Sequence, residues 1–260
     1  MVKIQSLLTK NRSLMLACDQ GLEHGPTDFN LLNIDPNYII DIGVKGRYNA
    51  LIFQHGIAEK YVNNHNKKIP LVIKLNGKTN ILKGEPYSPM NCSVKRAAKL
   101  GADAVGYTTY LGSEHESKIF QDFSKVVEEA HDYGLPVINW MYPRGKAVKD
   151  ELSTDMLAYA ARTGLELGAD ILKMKYNNDI DAFRWVTKCA GNAKLMVAGG
   201  SKKDERDLLQ KTHEIMQTGA VGMAIGRNVW QHDNPMAVTR ALKKVIFENS
   251  DVDSAMREFD

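Results

Sequence analysis

Short apolar runs alternate with amphipathic segments along most of this chain. Most of the segments between these runs repeat their apolar residues with the period of a helix. The clearest predicted helices cover residues 92–100, 117–133, 154–167 and 202–217. Eight of the apolar runs predict β-strands, at residues 14–18, 50–53, 70–75, 104–107, 136–140, 170–174, 194–198 and 222–225. Strands that alternate with helices in this way are typical of a parallel sheet with helical crossovers.

A recurring sequence marks the ends of three predicted helices. Residues 99–103, 166–170 and 217–221 each place Gly-Ala between the end of a helix and the start of an apolar run. A glycine closes a helix well because it readily adopts the left-handed conformation found there. Eight such units in 260 residues favour a TIM (β/α)8 barrel, forming a single domain over residues 1–260, rather than an open doubly wound sheet.

Two segments depart from this alternation. Residues 78–91 show little periodicity and contain two prolines and a glycine, so we predict a long loop after the third strand. Residues 235–257 predict a closing helix followed by a short extra helix.

Composition and charge narrow the class of protein. The chain is 43% hydrophobic and 25% charged, which are ordinary globular values. Its net charge is +3 and its basic residues are scattered, so nucleic acid is not expected as a partner. No apolar run approaches the roughly 18 residues of a membrane span, and no signal-peptide core is present. The three cysteines suggest neither a disulfide framework nor a zinc motif, so we expect a reduced, cytoplasmic enzyme.

Polar side chains gather at the predicted carboxyl ends of the strands, where the active site of a (β/α)8 barrel lies. In chain order these residues are Asp19, His24, Gln54, His55, Lys74, Asn76, Trp140, Tyr142, Arg144, Lys173, Lys175, Gly199, Gly200, Ser201, Gly226 and Arg227. We therefore expect a carboxylic acid, a phenol, amines and glycine loops to surround one opening of the barrel.

Two lysines on one predicted strand are candidate nucleophiles. Lys173 and Lys175 are two residues apart, so they share one face of a strand. Lysines are rarely buried, and burial beside another cation favours the neutral amine that attacks a carbonyl. Either lysine could form a Schiff base, and each could lower the pKa of the other. The alternative is an edge strand with a solvated lysine face.

Tyr142 is a candidate acid or base, with a phenol close to Arg144. Its phenolate would need stabilisation by such cations, because the pKa of a free tyrosine is near 10. The alternative is an ordinary half-buried tyrosine at a strand end.

Residues 197–202 and 224–228 form the loops after the last two strands. Barrels commonly bind a phosphate at these loops through glycine N–H groups, and Arg227 could add a bidentate contact. The alternative is a pair of tight turns. Asp19, His24 and His55 could instead bind a divalent metal, although their spacing does not support such a site.

Five segments together resemble one known family. Residues 19–26 (DQGLEHGP), 140–145 (WMYPRG), 169–175 (ADILKMK), 197–201 (VAGGS) and 224–228 (AIGRN) resemble the archaeal-type class I fructose-1,6-bisphosphate aldolases, from about residue 10 to 250. The resemblance implies a barrel that uses neither metal nor cofactor and forms a Schiff base with dihydroxyacetone phosphate. It also implies a homo-oligomer, often a decamer, in glycolysis or gluconeogenesis.

The resemblance also implies roles for particular residues. The Schiff-base lysine of the family lies 31 residues after its motif tyrosine, which selects Lys173 over Lys175. Tyr142 is then the general acid or base, and Asp19 assists proton transfer. The glycine loops with Arg227 bind one phosphate, and Arg144 is a candidate for the other. Trp140 and His24 complete the expected substrate-binding set.

Neighbouring families leave alternatives open. A synthase of 2-amino-3,7-dideoxy-D-threo-hept-6-ulosonate and an enzyme that processes phosphorylated autoinducer-2 share the Tyr-Pro-Arg-Gly motif and the lysine. Residues 23–26 and Trp140 favour the bisphosphate aldolase. A non-catalytic phosphosugar-binding barrel is the alternative from another class, and it would require Asp19, Tyr142 or Lys173 to be misplaced.

Overall fold

The computed structural model describes residues 2–62 and 69–260. Eight parallel strands pair in sequence order, and the first also pairs with the eighth, so the sheet closes into a barrel. The strands are β1 (Ser13–Cys18), β2 (Ala50–Gln54), β3 (Leu71–Lys74), β4 (Ala104–Leu111), β5 (Val137–Pro143), β6 (Ile171–Met174), β7 (Lys194–Ala198) and β8 (Gly222–Ile225). The predicted (β/α)8 barrel is confirmed.

Two strands are longer than their apolar runs predicted. β4 and β5 stay paired as far as Leu111 and Pro143, so β5 carries Tyr142 as well as Trp140. The extension of β4 runs through the polar residues Thr108 and Thr109, beyond the predicted end at residue 107. Both are buried because neighbouring strands satisfy them: Thr109 Oγ1 donates to Asn139 Oδ1 at 2.8 Å.

Helices cover the outside of the barrel. In the described ranges they are α1 (Gly21–His24), α2 (Pro36–Lys45), α3 (His55–Tyr61), α4 (Val94–Lys99), α5 (Glu116–Asp132), α6 (Thr154–Glu166), α7 (Ile180–Cys189), α8 (Glu205–Met216), α9 (Arg227–Trp230), α10 (Pro235–Glu248) and α11 (Val252–Met256).

Side-chain caps fix where several helices begin. The Asp204 carboxylate accepts from the Asp207 N–H, so α8 begins after a loop that the prediction of 202–217 had included in the helix. No described helix combines the length and hydrophobicity that a membrane span requires.

The two weakly patterned segments are placed as predicted. Residues 78–91 contain no helix or strand, apart from an isolated bridge between Asn76 and Met90. The C-terminal segment forms α10 and α11, as expected, and a single 3-10 turn over Arg257–Phe259.

Alternation along each strand separates two cores. Residues on one face pack against the helices, and residues on the other fill the barrel. The barrel interior contains Leu7, Met15, Ala17, Ala50, Ile52, Val72, Ala104, Ile138, Trp140, Ile171, Met196 and Ala224. Lys74 follows Val72 by two residues and Lys173 follows Ile171 by two, so both lysines face inward near the carboxyl ends of their strands.

Gly106 on β4 makes room for the Trp140 side chain. A Cβ at this position would lie only 2.2 Å from Trp140 Cζ3, so no other residue allows the ring its observed place. The indole therefore owes its position inside the barrel to a glycine on the adjacent strand.

We expect Gly106→Ala to lower the free energy of unfolding by about 1–3 kcal/mol, because the buried ring must move to admit the methyl group. Urea denaturation followed by fluorescence measures this change. Gly56→Ala is the matched control, because a Cβ there meets nothing within 4 Å and α3 gains a better helix former. Equal stability of the Gly106 variant and the wild type would contradict the packing described.

Candidate active site

A cavity of about 430 Å³ opens at the carboxyl ends of the strands. Its lining includes Ala17, Asp19, Gln20, Glu23, His24, Lys74, Thr108, Trp140, Tyr142, Arg144, Leu152, Lys173, Lys175, Tyr176, Asn178, Ala198, Gly199, Gly200, Lys211, Ala224, Gly226 and Arg227. The structure thus brings together all the candidate site residues that the resemblance implied except Ser201.

Lys173 projects into this cavity from β6 and is only 6% exposed. Its Nζ lies 4.6 Å from the centroid of the Trp140 ring, and it makes no hydrogen bond or ion pair with the described residues. Burial lowers the pKa of Lys173 below its ordinary value of 10.5. Lys74 lowers this pKa further, whereas Asp19 and Glu23 oppose the shift. The site therefore favours a neutral amine, which is the nucleophilic form.

A second buried lysine faces the same indole. Lys74 is 2% exposed, and its Nζ lies 4.9 Å from the Trp140 ring centroid. The same Nζ lies 3.7 Å from Asp19 Oδ2, and both side chains are almost fully buried. The sequence placed Lys74 at a strand end but gave it no role. Its spacing of two residues from buried Val72 was the signal that it points inward.

Lys175 lies at the rim of the cavity and is part of a different network. Its Nζ lies 2.6 Å from Glu151 Oε2. The Arg144 guanidinium donates to both oxygens of the same carboxylate, at 2.9 and 3.3 Å. The expectation that Lys175 lowers the pKa of Lys173 is therefore wrong, because Glu151 pairs with Lys175 and the cation acting on Lys173 is Lys74.

Tyr142 lines the cavity from β5 as a protonated phenol. Burial raises its pKa well above the ordinary value, and the nearby Asp19 and Glu23 raise it further. Arg144 acts in the opposite direction but more weakly, with its Cζ 5.9 Å from the Tyr142 ring centroid. Arg144 thus lowers the pKa of Tyr142, as expected of a nearby cation, but burial and the carboxylates outweigh it.

The loops after β7 and β8 meet beside the cavity. Gly226 lies against β1, where a Cβ would come within 2.4 Å of Ala17 O, and Gly200 has a φ of +72°. The amide of Asn228 holds the loop after β7, because its Nδ2 donates to Gly199 O at 3.1 Å and to Ser201 O at 2.9 Å. Both glycine segments therefore present backbone at the cavity wall.

Ser201 and Lys211 differ from what the sequence suggested. Ser201 was expected to bind phosphate, but its side chain is exposed and does not line the cavity. Its carbonyl is held by Asn228, beyond the turn that Gly200 makes. Lys211 on α8 does line the cavity, and burial lowers its pKa. Helical periodicity alone could not separate this lysine from others on solvated faces.

His24 is connected through Asp28 to Arg227, which lies after β8. His24 Nδ1 lies 2.5 Å from Asp28 Oδ2, and Arg227 Nη1 lies 3.6 Å from Asp28 Oδ1. His55 does not line the cavity. Within residues 2–62 and 69–260, no three His, Cys, Asp or Glu side chains lie close enough to hold a metal ion. The alternative metal set of Asp19, His24 and His55 is therefore not brought together.

The fold and the buried lysine define a barrel aldolase, and comparison with known proteins agrees. Residues 13–232 match the DeoC/LacD family of aldolases. The chain therefore belongs to that family, and within it to the archaeal-type class I branch that its sequence motifs resemble.

Relatives of known name are similar over nearly the whole chain. The class 1 fructose-bisphosphate aldolase of Thermoproteus tenax is 44% identical over 241 residues, which are 92% of this chain and 90% of that protein. A crystal structure of an archaeal fructose 1,6-bisphosphate aldolase is 42% identical, with a TM-score of 0.90 over 95% of this chain and 98% of that one. Another archaeal structure has its catalytic lysine covalently bound to a carbinolamine intermediate. It is also 42% identical, with a TM-score of 0.90 over 94% of this chain and 98% of that one.

We expect Lys173→Met to raise the free energy of unfolding by about 1 kcal/mol at neutral pH, because an apolar side chain replaces a poorly solvated amine. Because the pKa of Lys173 is lowered in the folded chain, the folded chain binds this proton less readily than the unfolded chain. The gain should therefore shrink as the pH rises towards 10.5, where the unfolded amine is also neutral. Urea denaturation at about pH 7 and about pH 9.5 tests this. A destabilised variant at both pH values would contradict it.

Proposed function

We propose that the protein is a class I aldolase that interconverts fructose 1,6-bisphosphate with dihydroxyacetone phosphate and glyceraldehyde 3-phosphate. The observation that carries the proposal is the buried Lys173 amine, whose pKa is lowered by burial, in a cavity that also contains Asp19 and Tyr142. The named relatives, which resemble this chain over more than nine-tenths of its length, support the choice of substrate.

Lys173 is the nucleophile. Its neutral amine attacks the C2 ketone and gives a carbinolamine, and loss of water then leaves a positively charged iminium ion. The departing oxygen needs a proton. Tyr142 is the source, and Asp19, which lies in the same cavity, relays the proton from the phenol to the carbinolamine oxygen.

The raised pKa of Tyr142 sets the order of these proton transfers. The phenol begins protonated and so cannot take a proton from the C4 hydroxyl at the outset. After it has given up its proton, the new iminium charge on Lys173 stabilises the phenolate. The phenolate then accepts the C4 hydroxyl proton, the C3–C4 bond breaks, and its electron pair moves into the iminium to form an enamine. In synthesis the same phenol returns the proton to the aldehyde oxygen.

The two phosphates bind on different parts of the cavity wall. Gly199, Gly200, Gly226 and Arg227 bind the phosphate of the dihydroxyacetone half, as glycine loops after the last two strands do in many barrels. Arg144 binds the second phosphate after exchanging its Glu151 partner for the substrate. Trp140 and His24 bind the substrate between these two ends.

We further propose that the enzyme is a single barrel domain over residues 1–260 and needs no metal or cofactor. We also propose that it works as a cytoplasmic homo-oligomer in glycolysis or gluconeogenesis. Exposed apolar side chains such as Leu31, Leu32 and Trp185 support an assembly, because such groups are commonly covered by a partner.

We expect Lys173→Met to abolish cleavage of fructose 1,6-bisphosphate while the fold is retained, because the variant has no amine to form the imine. A coupled assay for triose phosphates measures the activity, and circular dichroism checks the fold. Lys175→Met is the matched control, and it should retain measurable cleavage. Full activity of the Lys173 variant would overturn the assignment of the nucleophile. A wild-type enzyme that ignores this sugar but accepts the heptulosonate or autoinducer substrates would overturn the substrate.

We expect Tyr142→Phe to slow both the loss of water from the carbinolamine and the cleavage of the C3–C4 bond, so that turnover falls about 10²–10⁴-fold, because the nucleophile remains while the acid–base group of both steps is lost. Rapid-quench kinetics with borohydride separates the two steps. Imine formation and cleavage at wild-type rates would contradict the role described for Tyr142.

A further inference from the structure

Two buried lysines share one indole ring and one carboxylate. The Nζ atoms of Lys173 and Lys74 both lie within 5 Å of the Trp140 ring centroid, so they are no more than about 10 Å from each other. Only Lys74 forms an ion pair with Asp19, at 3.7 Å, and Lys173 forms none with the described residues. The two amines therefore occupy similar surroundings, but of the two only Lys74 has a charged partner among the described residues.

The partner decides which amine keeps its proton. A carboxylate buried beside an amine favours the ammonium form, so Asp19 opposes the lowering of the Lys173 pKa by burial. In the structure that carboxylate is paired with Lys74. The charge that would suppress the nucleophile is thus balanced by a second cation, which in turn repels a proton on Lys173.

We propose that Lys74 is a positioning residue: it binds the Asp19 carboxylate and thereby favours the neutral, nucleophilic form of the Lys173 amine. The inference deepens the proposed function and rests on it, since it concerns the reactivity of the proposed Schiff-base lysine.

The other elements around Lys173 leave few competing groups. Asp19 follows β1, Glu23 lies on α1, Lys74 ends β3 and Tyr142 lies on β5. The cavity residues on β7 and β8 themselves are alanines, which do not titrate. The two carboxylates favour a charged Lys173 and Lys74 disfavours it, while the phenol is protonated and uncharged. Arg144, Lys175, Lys211 and Arg227 also line the cavity, but Lys74 is the cation that lowers the pKa of Lys173.

The test measures the protonation of Lys173 directly and does not require turnover. The protein is labelled with a trace of acetic anhydride over a range of pH, and peptide mass spectrometry gives the pKa of each lysine from its labelling rate. Wild type, Lys74→Met and Lys74→Arg are compared. Lys45→Met is the matched control, because Lys45 pairs with Asp41 on an exposed helix face away from the cavity.

We expect Lys74→Met to raise the pKa of Lys173 by about one pH unit, the shift that a unit charge within about 10 Å produces in a protein interior. Lys74→Arg should restore most of the wild-type value, because it keeps the charge, and Lys45→Met should leave it unchanged. An unchanged pKa of Lys173 in folded Lys74→Met would overturn the inference, as would failure of the arginine to restore it.

A second pair of variants covers the case in which Lys74→Met does not fold. This pair consists of Asp19→Asn and the double variant Asp19→Asn/Lys74→Met. The double variant removes both members of the ion pair and leaves no unpaired buried charge, so its fold is disturbed less than that of Lys74→Met. The pKa of Lys173 should be higher in the double variant than in Asp19→Asn, because only Asp19→Asn keeps the Lys74 cation. Equal pKa values in the two variants would overturn the inference. Borohydride trapping of substrate by the wild type tests the proposed function separately. If substrate is trapped on Lys173 but the pKa of Lys173 does not depend on Lys74, this inference is overturned and the proposed function stands.

Discussion

The site depends on one physical constraint, which is that an amine inside the barrel is poorly solvated. An ammonium ion is costly to bury without a partner, and Lys173 has none among the described residues, so burial favours its neutral form. Other features follow from the same constraint. A nearby carboxylate would restore the charge, and Asp19 is instead paired with Lys74. Both lysines lie against the indole of Trp140, and Gly106 makes room for that indole.

The same burial has an opposite consequence for Tyr142. A low-dielectric cavity disfavours phenolate as it disfavours ammonium, so both groups start in their neutral forms. In the proposed mechanism, formation of the iminium places a positive charge on Lys173 while Tyr142 becomes a phenolate, so the two new charges stabilise each other. One covalent step therefore converts a poor base into a competent one, without any movement of the chain. The barrel supplies this coupling because Tyr142 and Lys173 lie on adjacent strands.

Much of this arrangement could be predicted from the sequence, because parallel barrel strands are buried on both faces and appear as short apolar runs. The second half of β4 could not, since Thr108 and Thr109 are polar and become buried only through partners on adjacent strands. Tyr142, Lys173 and the glycine loops were found from motifs and spacing. Lys74 had the same alternation as Lys173, but its partner Asp19 lies 55 residues away in the chain, and only the closed barrel brings them together. The pairing of Glu151 with Lys175 depends on the path of a loop that no periodicity describes.

The central claim is that Lys173, and not another lysine of the cavity, forms the covalent bond with substrate. The most direct measurement is to reduce the complex with dihydroxyacetone phosphate by borohydride and to map the modified peptide by mass spectrometry. A single adduct on Lys173 is the predicted result, and Lys74 and Lys175 should remain unmodified. An adduct on either of these two lysines, or cleavage of fructose 1,6-bisphosphate with no adduct at all, would contradict the account.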